Sequence, residues 1–410
     1  MKKTASFLLA LMFVFAAVTP AAAAGGAKVP PADGTTARAL RFREDGSFKI
    51  LQLTDLHKSD GDAYEDVNNC LLNELAKTQD ADLVVITGDI AMSGTRDEII
   101  ANIDEIMTPF ANASIPVAVV FGNHDSESGL ISREELMAIY NTHPNSISVD
   151  EGALLPGCGT YTIPILSSSG DRLAFNLWMI DSREYDEQGR YGAVTPEQIA
   201  WYVHKSEALQ AQNDGKIVPS LMFQHIPVPE IYDALLEVNR FTPYAVKRIY
   251  TDDRYYVVNP DNINAGRLAE YPCPPYENNG QFDAVAARGD VLAMFFGHDH
   301  SNTFNITYRG VDLVATPKTN FEGYGVDRGA RLITLNEADT SAYETHLVRF
   351  TSLYDLNDLN PASLISSGIR LNSPEFKTIV AVNFFHLLFR LQYFFATTLV
   401  EAVTGMKFDY

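Results

Sequence analysis

Short apolar runs alternate with amphipathic segments along the first half of the chain. The runs at 48–57, 81–90 and 115–125 are rich in Val, Ile and Leu, and each ends in polar residues. Between them lie helical patterns, from Tyr64 to Lys77 and from Arg96 to Phe110. This order predicts a β-α-β-α-β unit whose parallel strands are covered on both faces.

The second half of the chain repeats this alternation less regularly. A further helical pattern begins near Thr195, with Pro196 in the first turn, where proline is favoured. Further strands are predicted at 172–181, 219–227, 292–302, 311–317, 330–336 and 345–350. The last three of these runs are typical of an antiparallel end to an α/β fold.

Polar side chains collect where the predicted strands end. The set holds five of the nine histidines, two aspartates and one asparagine: Asp55, His57, Asp89, Asn123, His124, His225, His298 and His300. Each residue alone would fit an ordinary role, such as a helix cap or a turn. Gly88, Gly122 and Gly297 each precede one of them and allow close backbone approach. Because open α/β sheets place their sites at strand ends, the set predicts one functional site.

The residue types in this set indicate the chemistry of the site. Carboxylate, imidazole and amide oxygen ligands suit first-row divalent or trivalent ions rather than a soft thiolate site. Two such ions about 3.5–4 Å apart can activate a water and hold both oxygens of an in-line displacement. Two divalent ions outweigh two aspartates and a hydroxide, so the site would attract anions although the chain has a net charge of -21. The residues therefore predict a two-metal hydrolytic site.

Five sequence blocks carry a resemblance to a known family. In order they read "DLH", "GD", "GNHD", "H" and "GHDH", from Asp55 to His300. The set resembles the calcineurin-like metallophosphoesterase superfamily, and the surrounding sequence is similar to its purple-acid-phosphatase-29-like and Dcr2-like branch. The resemblance covers residues 46–350 and implies an α/β fold, a sandwich of two mixed β-sheets flanked by helices.

The resemblance also implies roles for the individual residues. Seven correspond to metal ligands: Asp55, His57 and His300 for metal A, Asn123, His225 and His298 for metal B, and Asp89 for both. His124 would contact the phosphate and donate a proton to the leaving oxygen, while a metal-bridging hydroxide attacks phosphorus in line. The implied cofactors are two divalent or mixed-valence transition-metal ions, Mn, Fe or Zn.

The chain departs from two better-known branches of that superfamily. Purple acid phosphatases carry a metal-binding tyrosine three residues after the bridging aspartate, whereas this chain has Met92. The charge transfer from tyrosine to iron that makes those enzymes purple should therefore be absent. Protein serine/threonine phosphatases carry "GDxxDRG", whereas this chain reads "GDIAMSG". It therefore lacks the aspartate–arginine pair that orients the catalytic histidine of those enzymes. What orients His124 is left open, because the side chain of its neighbour Asp125 should point away from it.

The predicted activity is hydrolysis of phosphorylated small molecules, most simply as a phosphomonoesterase. A phosphodiesterase or nucleotide hydrolase would use the same metal ligands, so both stay as alternatives. A non-catalytic metal-binding protein is less favoured, because no ligand and no catalytic histidine is missing. Arg183 is the one cation near a strand end that could assist a dianion, and Tyr324 could form a wall of the site.

The N-terminus and the charge narrow the setting. Residues 1–24 combine two lysines, an apolar run and an alanine-rich exit, which predicts a cleaved signal peptide and export to an extracellular, cell-surface or periplasmic location. Its removal takes two Lys and no acids, so the net charge changes from -21 to -23. Residues 25–45 form a leader to the predicted domain. An acidic chain without a basic run is not expected to bind nucleic acid in a groove.

Two further segments lie outside the strand pattern. The aromatic and proline-rich stretch 226–281 is a long insertion, either a lid over the site or an excursion with a small core of its own. Residues 351–410 form a C-terminal extension with an apolar, amphipathic helix at 376–404. Arg390 at its middle would be costly in lipid, which argues against a membrane-spanning helix. An amphipathic helix could pack on the domain or on a second copy, which is the favoured interpretation, or lie on a membrane surface.

The three cysteines are widely spaced and odd in number. Cys70 falls in a helical pattern and is predicted to be a buried core thiol. Cys158 and Cys273 could form a disulfide in an exported protein, and the sequence leaves this open.

Overall fold

The computed structural model describes residues 39–353, except 60–63, 153, 252 and 326, together with separate positions between 377 and 395. The predicted signal peptide 1–24 and most of the leader 25–45 lie outside the described residues. So do residues 354–376 and 396–410, and with them most of the C-terminal extension.

The elements of the described chain follow the predicted alternation, with additional short strands. The helices are Glu65–Thr78 (α1), Arg96–Asn112 (α2), Arg133–Tyr140 (α3), Pro196–Gln212 (α4), Ile231–Ala234 (α5) and Gln281–Arg288 (α6). The first strands are Leu40–Arg41 (β1), Ser47–Leu53 (β2), Lys58–Ser59 (β3), Leu83–Thr87 (β4), Ala91–Ser93 (β5), Val117–Val120 (β6), Tyr161–Leu166 (β7), Leu173–Met179 (β8) and Ser220–Phe223 (β9). The later strands are Leu236–Val238 (β10), Val246–Lys247 (β11), Tyr255–Val257 (β12), Ile263–Ala265 (β13), Val291–Phe296 (β14), Asn305–Tyr308 (β15), Val311–Ala315 (β16), Gly329–Asn336 (β17) and Asp339–Arg349 (β18). A 3-10 turn, Phe350–Ser352, closes the continuous part.

Most of these strands form two mixed sheets. The larger has the order β1-β7-β8-β9-β14-β16-β15-β13, and the smaller has the order β18-β17-β2-β4-β6. In the smaller sheet β2, β4 and β6 are parallel, whereas β17 and β18 are antiparallel to their neighbours. In the larger sheet β8, β9, β14 and β16 are parallel. The predicted fold class, two mixed sheets flanked by helices, is confirmed.

Three apolar clusters show how the layers pack. Side chains such as Val85 from the smaller sheet and Phe175 from the larger one form the cluster between the two sheets. A second cluster joins the outer face of the smaller sheet to α1 and α2, through residues such as Leu75 and Ile103. A third joins the outer face of the larger sheet to α4 and α6. Both faces of each sheet are therefore covered, as the continuous apolar strands require.

A buried arginine ties the two sheets together. Arg331 of β17 donates to the carbonyl oxygens of Ala315, at the end of β16, and of Thr303. It also donates to the hydroxyl of Thr316, which in turn donates to Gln52 of β2. Burial lowers the pKa of Arg331 to about 10. These bonds hold the ends of β2 and β16 in a defined relation, next to the residues that follow the strands.

The insertion 226–281 is a folded excursion rather than a structureless loop. It contains α5, a three-stranded sheet of order β10-β12-β11, and β13, which joins the larger sheet. Tyr232 and Tyr256 are buried within it, with ring centroids 5.0 Å apart. Both belong to the apolar cluster on the outer face of the larger sheet, so the segment packs on that sheet, and its action as a lid stays a prediction.

The cysteines and the C-terminal positions complete the described chain. All three cysteines are free thiols, and Cys70 is only half-buried, so its predicted place in the core was wrong. Lys377 pairs with Asp66 of α1, and Leu388 packs against the α1–α2 cluster. Within the described positions, no helix has the length and apolarity needed to cross a bilayer.

Candidate metal centre

The predicted site residues meet at the carboxyl ends of five strands. These strands are β2, β4 and β6 in one sheet and β9 and β14 in the other, and each is parallel to a neighbour. Each of the five is followed within four residues by at least one predicted ligand. Because the two sheets are stacked, the five strand ends face one shared edge, where all eight predicted residues come together.

The backbone turns sharply where the ligands leave their strands. Asp55, His57, Asp89 and His298 have φ angles of 49°, 45°, 52° and 69°, in the left-handed region that costs non-glycine residues free energy. Gly88 has a φ of 84°, and a Cβ there would lie 2.5 Å from the backbone nitrogen of Gly122. Such strained positions cluster at functional sites, where the surrounding structure holds them in place.

The first ligand group, called the A group, consists of Asp55, His57 and His300. The Nε2 atoms of the two histidines are 3.0 Å apart. Asp55 Oδ1 lies 3.6 Å from His57 Nε2 and 3.4 Å from His300 Nε2. The other carboxylate oxygen, Oδ2, accepts from the Thr54 hydroxyl and the His298 amide. One oxygen and two nitrogens therefore converge on a single point.

The second group, the B group, consists of Asp89, Asn123, His225 and His298. His225 Nδ1 donates to the carbonyl oxygen of Thr87 at 2.7 Å, which turns Nε2 towards the site. That Nε2 lies 3.2 Å from Asp89 Oδ2 and 3.3 Å from His298 Nδ1. Asp89 Oδ2 is also 3.9 Å from His57 Nε2 of the A group. Asp89 is thus the carboxylate placed between the two groups.

Two buried oxygens show that these groups fit metal ions. Asp55 Oδ1 and Asn123 Oδ1 are buried and receive no hydrogen bond from any residue that the structure describes. The amide nitrogen of Asn123 donates to Tyr185 at 2.8 Å, so its oxygen is the atom left for another partner. Buried polar atoms are rarely left without one. Carboxylate, amide oxygen and imidazole are ligands for first-row transition metals, so the two groups could hold a dinuclear centre.

The charges of the groups explain the protonation of the buried histidines. Burial would lower the pKa of His225, but Asp89 and Asp55 together raise it to about 10. Burial and the charge of His225 lower the pKa of His298 to about 3. Burial opposes the ionisation of Asp55, yet the positive charge of His225 and the nearby imidazoles of His300 and His57 hold its pKa well below the usual range. Without metal, the B group therefore carries one proton on His225.

His124 lies at the mouth of the site, outside both ligand groups. Its backbone amide donates to Asp89 Oδ1 at 2.8 Å, and its ring centroid is 5.8 Å from that of His57. Its Nδ1 pairs with the carboxylate of Glu127, and its side chain is 32% exposed. Glu127 was not identified from the sequence. Its position three residues after His124 was the available signal, because a turn brings residues at that spacing together. In the structure, the Glu127 amide donates to the His124 carbonyl and forms such a turn.

Asp125 points away from His124 and holds the strand ends together. Its carboxylate accepts from the backbone amides of Asp89, Ile90 and Gly122, at 3.0, 2.8 and 2.7 Å. Two strand ends of the smaller sheet are thereby joined through one side chain. The expectation that Asp125 diverges from its neighbour is confirmed, and its role is to position backbone.

The other residues singled out in the sequence have different surroundings. Met92 contacts His57 Nδ1 through its sulfur. Arg183 lies alongside Gly157 and Asp181 and is not part of either ligand group. Tyr324 stacks on His300, with ring centroids 5.3 Å apart, as expected for a wall of the site.

Two tyrosines next to the site were missed. Tyr185 bonds Asn123, and its ring centroid lies 6.5 Å from that of His124. Tyr191 packs edge-on against His298 at 4.3 Å. Both lie in an irregular stretch after β8, where no periodic pattern marks them.

Comparison with known proteins identifies the family. The sequence model of the calcineurin-like phosphoesterase family matches residues 48–302, well over half of the chain. The chain belongs to the calcineurin-like phosphoesterase family. The resemblance read from the five blocks is confirmed, and so is the expectation of a metal-dependent phosphoester hydrolase acting on phosphorylated small molecules. The five sequence blocks of this chain, from "DLH" to "GHDH", all lie within the matched residues.

Relatives of this phosphoesterase support the narrower branch. "Probable inactive purple acid phosphatase 14" of Arabidopsis thaliana is 28% identical over 73% of this chain and 77% of its own. "Probable inactive purple acid phosphatase 29" of the same plant is 25% identical, over 84% of this chain and 90% of its own. "Phosphatase DCR2" of Saccharomyces cerevisiae is 29% identical, over 48% of this chain and 37% of its own.

Proposed function

We propose that this phosphoesterase is a phosphomonoesterase in which His124 protonates the leaving oxygen. The observation that carries the proposal is the contrast between buried and open groups at the site. Two oxygens, Asp55 Oδ1 and Asn123 Oδ1, are buried without a donor among the described residues, whereas His124 is open to solvent beside them. Ligands for cations and a group that can transfer a proton to a bound ester thus lie side by side.

The residues of the chain divide the work as follows. Two transition-metal ions, held by the A and B groups, would supply an activated water and positive charge for the phosphate oxygens. Glu127 accepts the Nδ1 proton of His124, and the proton for the leaving oxygen would come from Nε2 when both ring nitrogens are protonated. Asp89 holds the His124 amide and fixes the ring next to the ligand groups. Tyr324 stacks on His300, and Tyr185 accepts from the amide of Asn123, so each tyrosine positions one residue of the site.

Retention of these residues supports an enzyme over a non-catalytic binding protein. Two relatives carry the word "inactive" in their names, and a third is named a phosphatase. In this chain no predicted ligand is displaced from the cluster, and His124 has a carboxylate partner that a purely structural histidine at an exposed position would not need.

The test compares p-nitrophenyl phosphate with bis-p-nitrophenyl phosphate. The protein is loaded with manganese, iron or zinc, and its metal content is measured before each assay. We expect metal-dependent turnover with preference for the monoester, reduced about 10²–10⁴-fold in His124→Ala without loss of metal. Preference for the diester would replace the monoesterase by a phosphodiesterase. If the protein binds two ions but hydrolyses neither ester, the proposed hydrolase activity is refuted.

Export is proposed on separate grounds. The charged start, apolar run and alanine-rich end of residues 1–24 support cleavage after Ala24. N-terminal sequencing of the protein from its native host should begin at Gly25. An intact N-terminus on the cytoplasmic fraction would contradict export and leave the activity untouched.

A further inference from the structure

An open cavity lies in the insertion, separated from His298 of the B group by Tyr191. Its volume is about 450 Å³, within the range of about 300–1,000 Å³ that small-molecule sites occupy. Its lining consists of Lys247, Arg248, Ile249, Tyr250, Thr251 and Tyr271. The combination of two cations and two tyrosines distinguishes this cavity from an ordinary surface depression. Its functional role depends on where it lies relative to the predicted metal ligands.

Contacts through tyrosine connect one wall of the cavity to the B group. The ring of Tyr191 packs edge-on against His298, with 4.3 Å between centroids. The Tyr191 amide donates to the Tyr250 hydroxyl at 3.0 Å, and the two rings are 6.5 Å apart. Tyr250 is therefore both a wall of the cavity and the second residue out from a metal-ligand histidine. The cavity and the B group therefore lie on either side of Tyr191.

A second aromatic residue of the lining, Tyr271, is connected to the strand end that carries His298 and His300. Tyr271 lies two residues before Cys273, whose amide donates to Asp299 Oδ1 at 3.0 Å. Asp299 is buried between the two histidines of "GHDH". Both aromatic walls are thus tied to the segment that carries His298 and His300, so the cavity and the metal-ligand groups are held in one arrangement.

Neither cation of the cavity forms a salt bridge with an acidic residue that the structure describes, although Arg254 chiefly, and Arg248 to a smaller extent, lower the pKa of Glu237. Carboxylates of the same region are already paired: Glu237 with Arg254 at 2.5 Å, and Asp186 with Arg190 at 2.6 Å. Arg248 packs its guanidinium on the ring of Tyr232, 4.7 Å from the centroid, which holds it in place at the cavity. In a chain of net charge -21, an arginine and a lysine outside any described salt bridge form a local site for an anion.

We propose that this cavity binds the leaving group of the substrate and that Lys247 and Arg248 bind a second phosphate on it. The substrates would then be bisphosphate esters of ring-containing alcohols, with the ring between Tyr250 and Tyr271. The proposal rests on the phosphomonoesterase activity proposed above. One P–O ester bond at the metal centre breaks, water adds to that phosphorus, and the alcohol oxygen takes the proton from His124. A bisphosphate and water give a monophosphate and inorganic phosphate.

The experiment compares matched substrates that differ by one phosphate. The metal-loaded protein is assayed with adenosine 3′,5′-bisphosphate against adenosine 5′-monophosphate, and with fructose 1,6-bisphosphate against fructose 6-phosphate. We expect kcat/KM to be at least about tenfold higher for one bisphosphate, because a hydrogen-bonded charge pair contributes about that much. Lys247→Ala and Arg248→Ala should each bring this ratio towards one.

A control variant and a binding measurement complete the design. Lys216→Ala removes an exposed lysine in the loop after α4 and should keep the ratio. Calorimetry of adenosine 3′,5′-bisphosphate with the His124→Ala protein measures binding without rapid turnover, and Lys247→Ala in that background should weaken it about tenfold. Because Lys247 is exposed, its loss should not disturb folding, which keeps the test valid if Arg248→Ala is unstable.

Each outcome separates this inference from the proposed function. Hydrolysis of p-nitrophenyl phosphate with equal kcat/KM for both members of each pair would overturn the second-phosphate site and leave the phosphatase standing. A preference that survives both cavity variants, or that falls equally in Lys216→Ala, would also overturn it. No turnover of any ester by the metal-loaded protein would remove the proposed function itself.

Discussion

The A and B groups are built from the same kinds of ligand, but their surroundings differ. The side chains of His57 and His300 in the A group are 15% and 19% exposed, at the mouth of the site. Asp89 and His225 in the B group are 1% and 0% exposed. His225 is also fixed by its bond to the Thr87 carbonyl, whereas His57 has only the sulfur of Met92 at its second nitrogen.

This difference implies that the two groups would hold ions in different ways. The B group is preformed, because Asp89, Asn123 and His225 are buried and His225 is hydrogen-bonded to Thr87 at the end of β4. The A group depends more on side chains that reach into the mouth, where solvent and substrate also enter. We therefore expect an ion at A to exchange faster and an ion at B to be retained longer.

The largest effect should follow from Asp89→Ala, which removes the carboxylate between the groups. Loss of a group that merely orients a ligand costs about 10–100-fold in metal affinity or activity, so loss of this carboxylate should lower kcat/KM about 1,000-fold or more. Metal analysis should show less than two ions per chain. By contrast, His57→Ala should release metal from A while B stays loaded. Equal metal content in both variants would refute the distinction between the groups.

Stability should separate the two groups next. Asp125→Ala leaves three buried amides near the B group without their acceptor, at about 1–3 kcal/mol each, so we expect a loss of about 3 kcal/mol or more. Asn320→Ala removes two bonds, to the carbonyls of Asp55 and Leu56 beside the A group, and should cost about 1–2 kcal/mol. Urea unfolding of the metal-free proteins measures both. The reverse order would show that the B group is not the more rigid one.

Glu127→Gln should produce a smaller effect that touches neither ligand group. The variant weakens the hold on the His124 ring, so kcat should fall about 10- to 100-fold, less than the full contribution of about 10²–10⁴-fold from a general acid. The loss should be greater for phenyl phosphate than for p-nitrophenyl phosphate, because the poorer leaving group needs the proton more. Glu187→Gln, at an exposed position outside the site, is the matched control. A loss that is the same for both esters would assign Glu127 a structural role only.

Much of the fold and of the ligand cluster could be predicted because each depends on local pattern. Val-, Ile- and Leu-rich runs that end in Asp55, Asp89 and Asn123 are buried parallel strands, and parallel strands must end at a common edge. Whether the residues there bind metal stays a prediction. The strands of the insertion are only two or three residues long, too short for periodicity to show.

The parts that could not be predicted depend on non-local contacts. Tyr191 and Tyr250 meet only after the insertion folds, since 59 residues separate them. Cys70 faces the edge of α1 rather than the core, a difference of a fraction of a helical turn that the sequence pattern does not resolve. Glu127 reaches His124 through an irregular turn, for which no periodic signal exists.

The smallest expected effect concerns protons and sharpens the comparison at the B group. In the metal-free protein His225 has a pKa of about 10, so it is charged at neutral pH, and a metal ion must displace that proton. His298, with a pKa of about 3, is already neutral and releases none. Because a single proton is lost, the affinity of the B group should rise about tenfold for each pH unit between pH 6 and pH 9.

Calorimetry of zinc binding to His57→Ala, in buffers of different ionisation enthalpy, counts this proton directly. We expect about one proton released per ion at pH 7, and fewer in His225→Asn, which binds more weakly and lacks the His225 imidazolium. Release of two protons would mean that a second ligand is protonated. If His57→Ala releases no proton, Asp89 and Asp55 do not stabilise a charged His225. The burial of the B group would then have to be explained without an ion pair between His225 and these carboxylates.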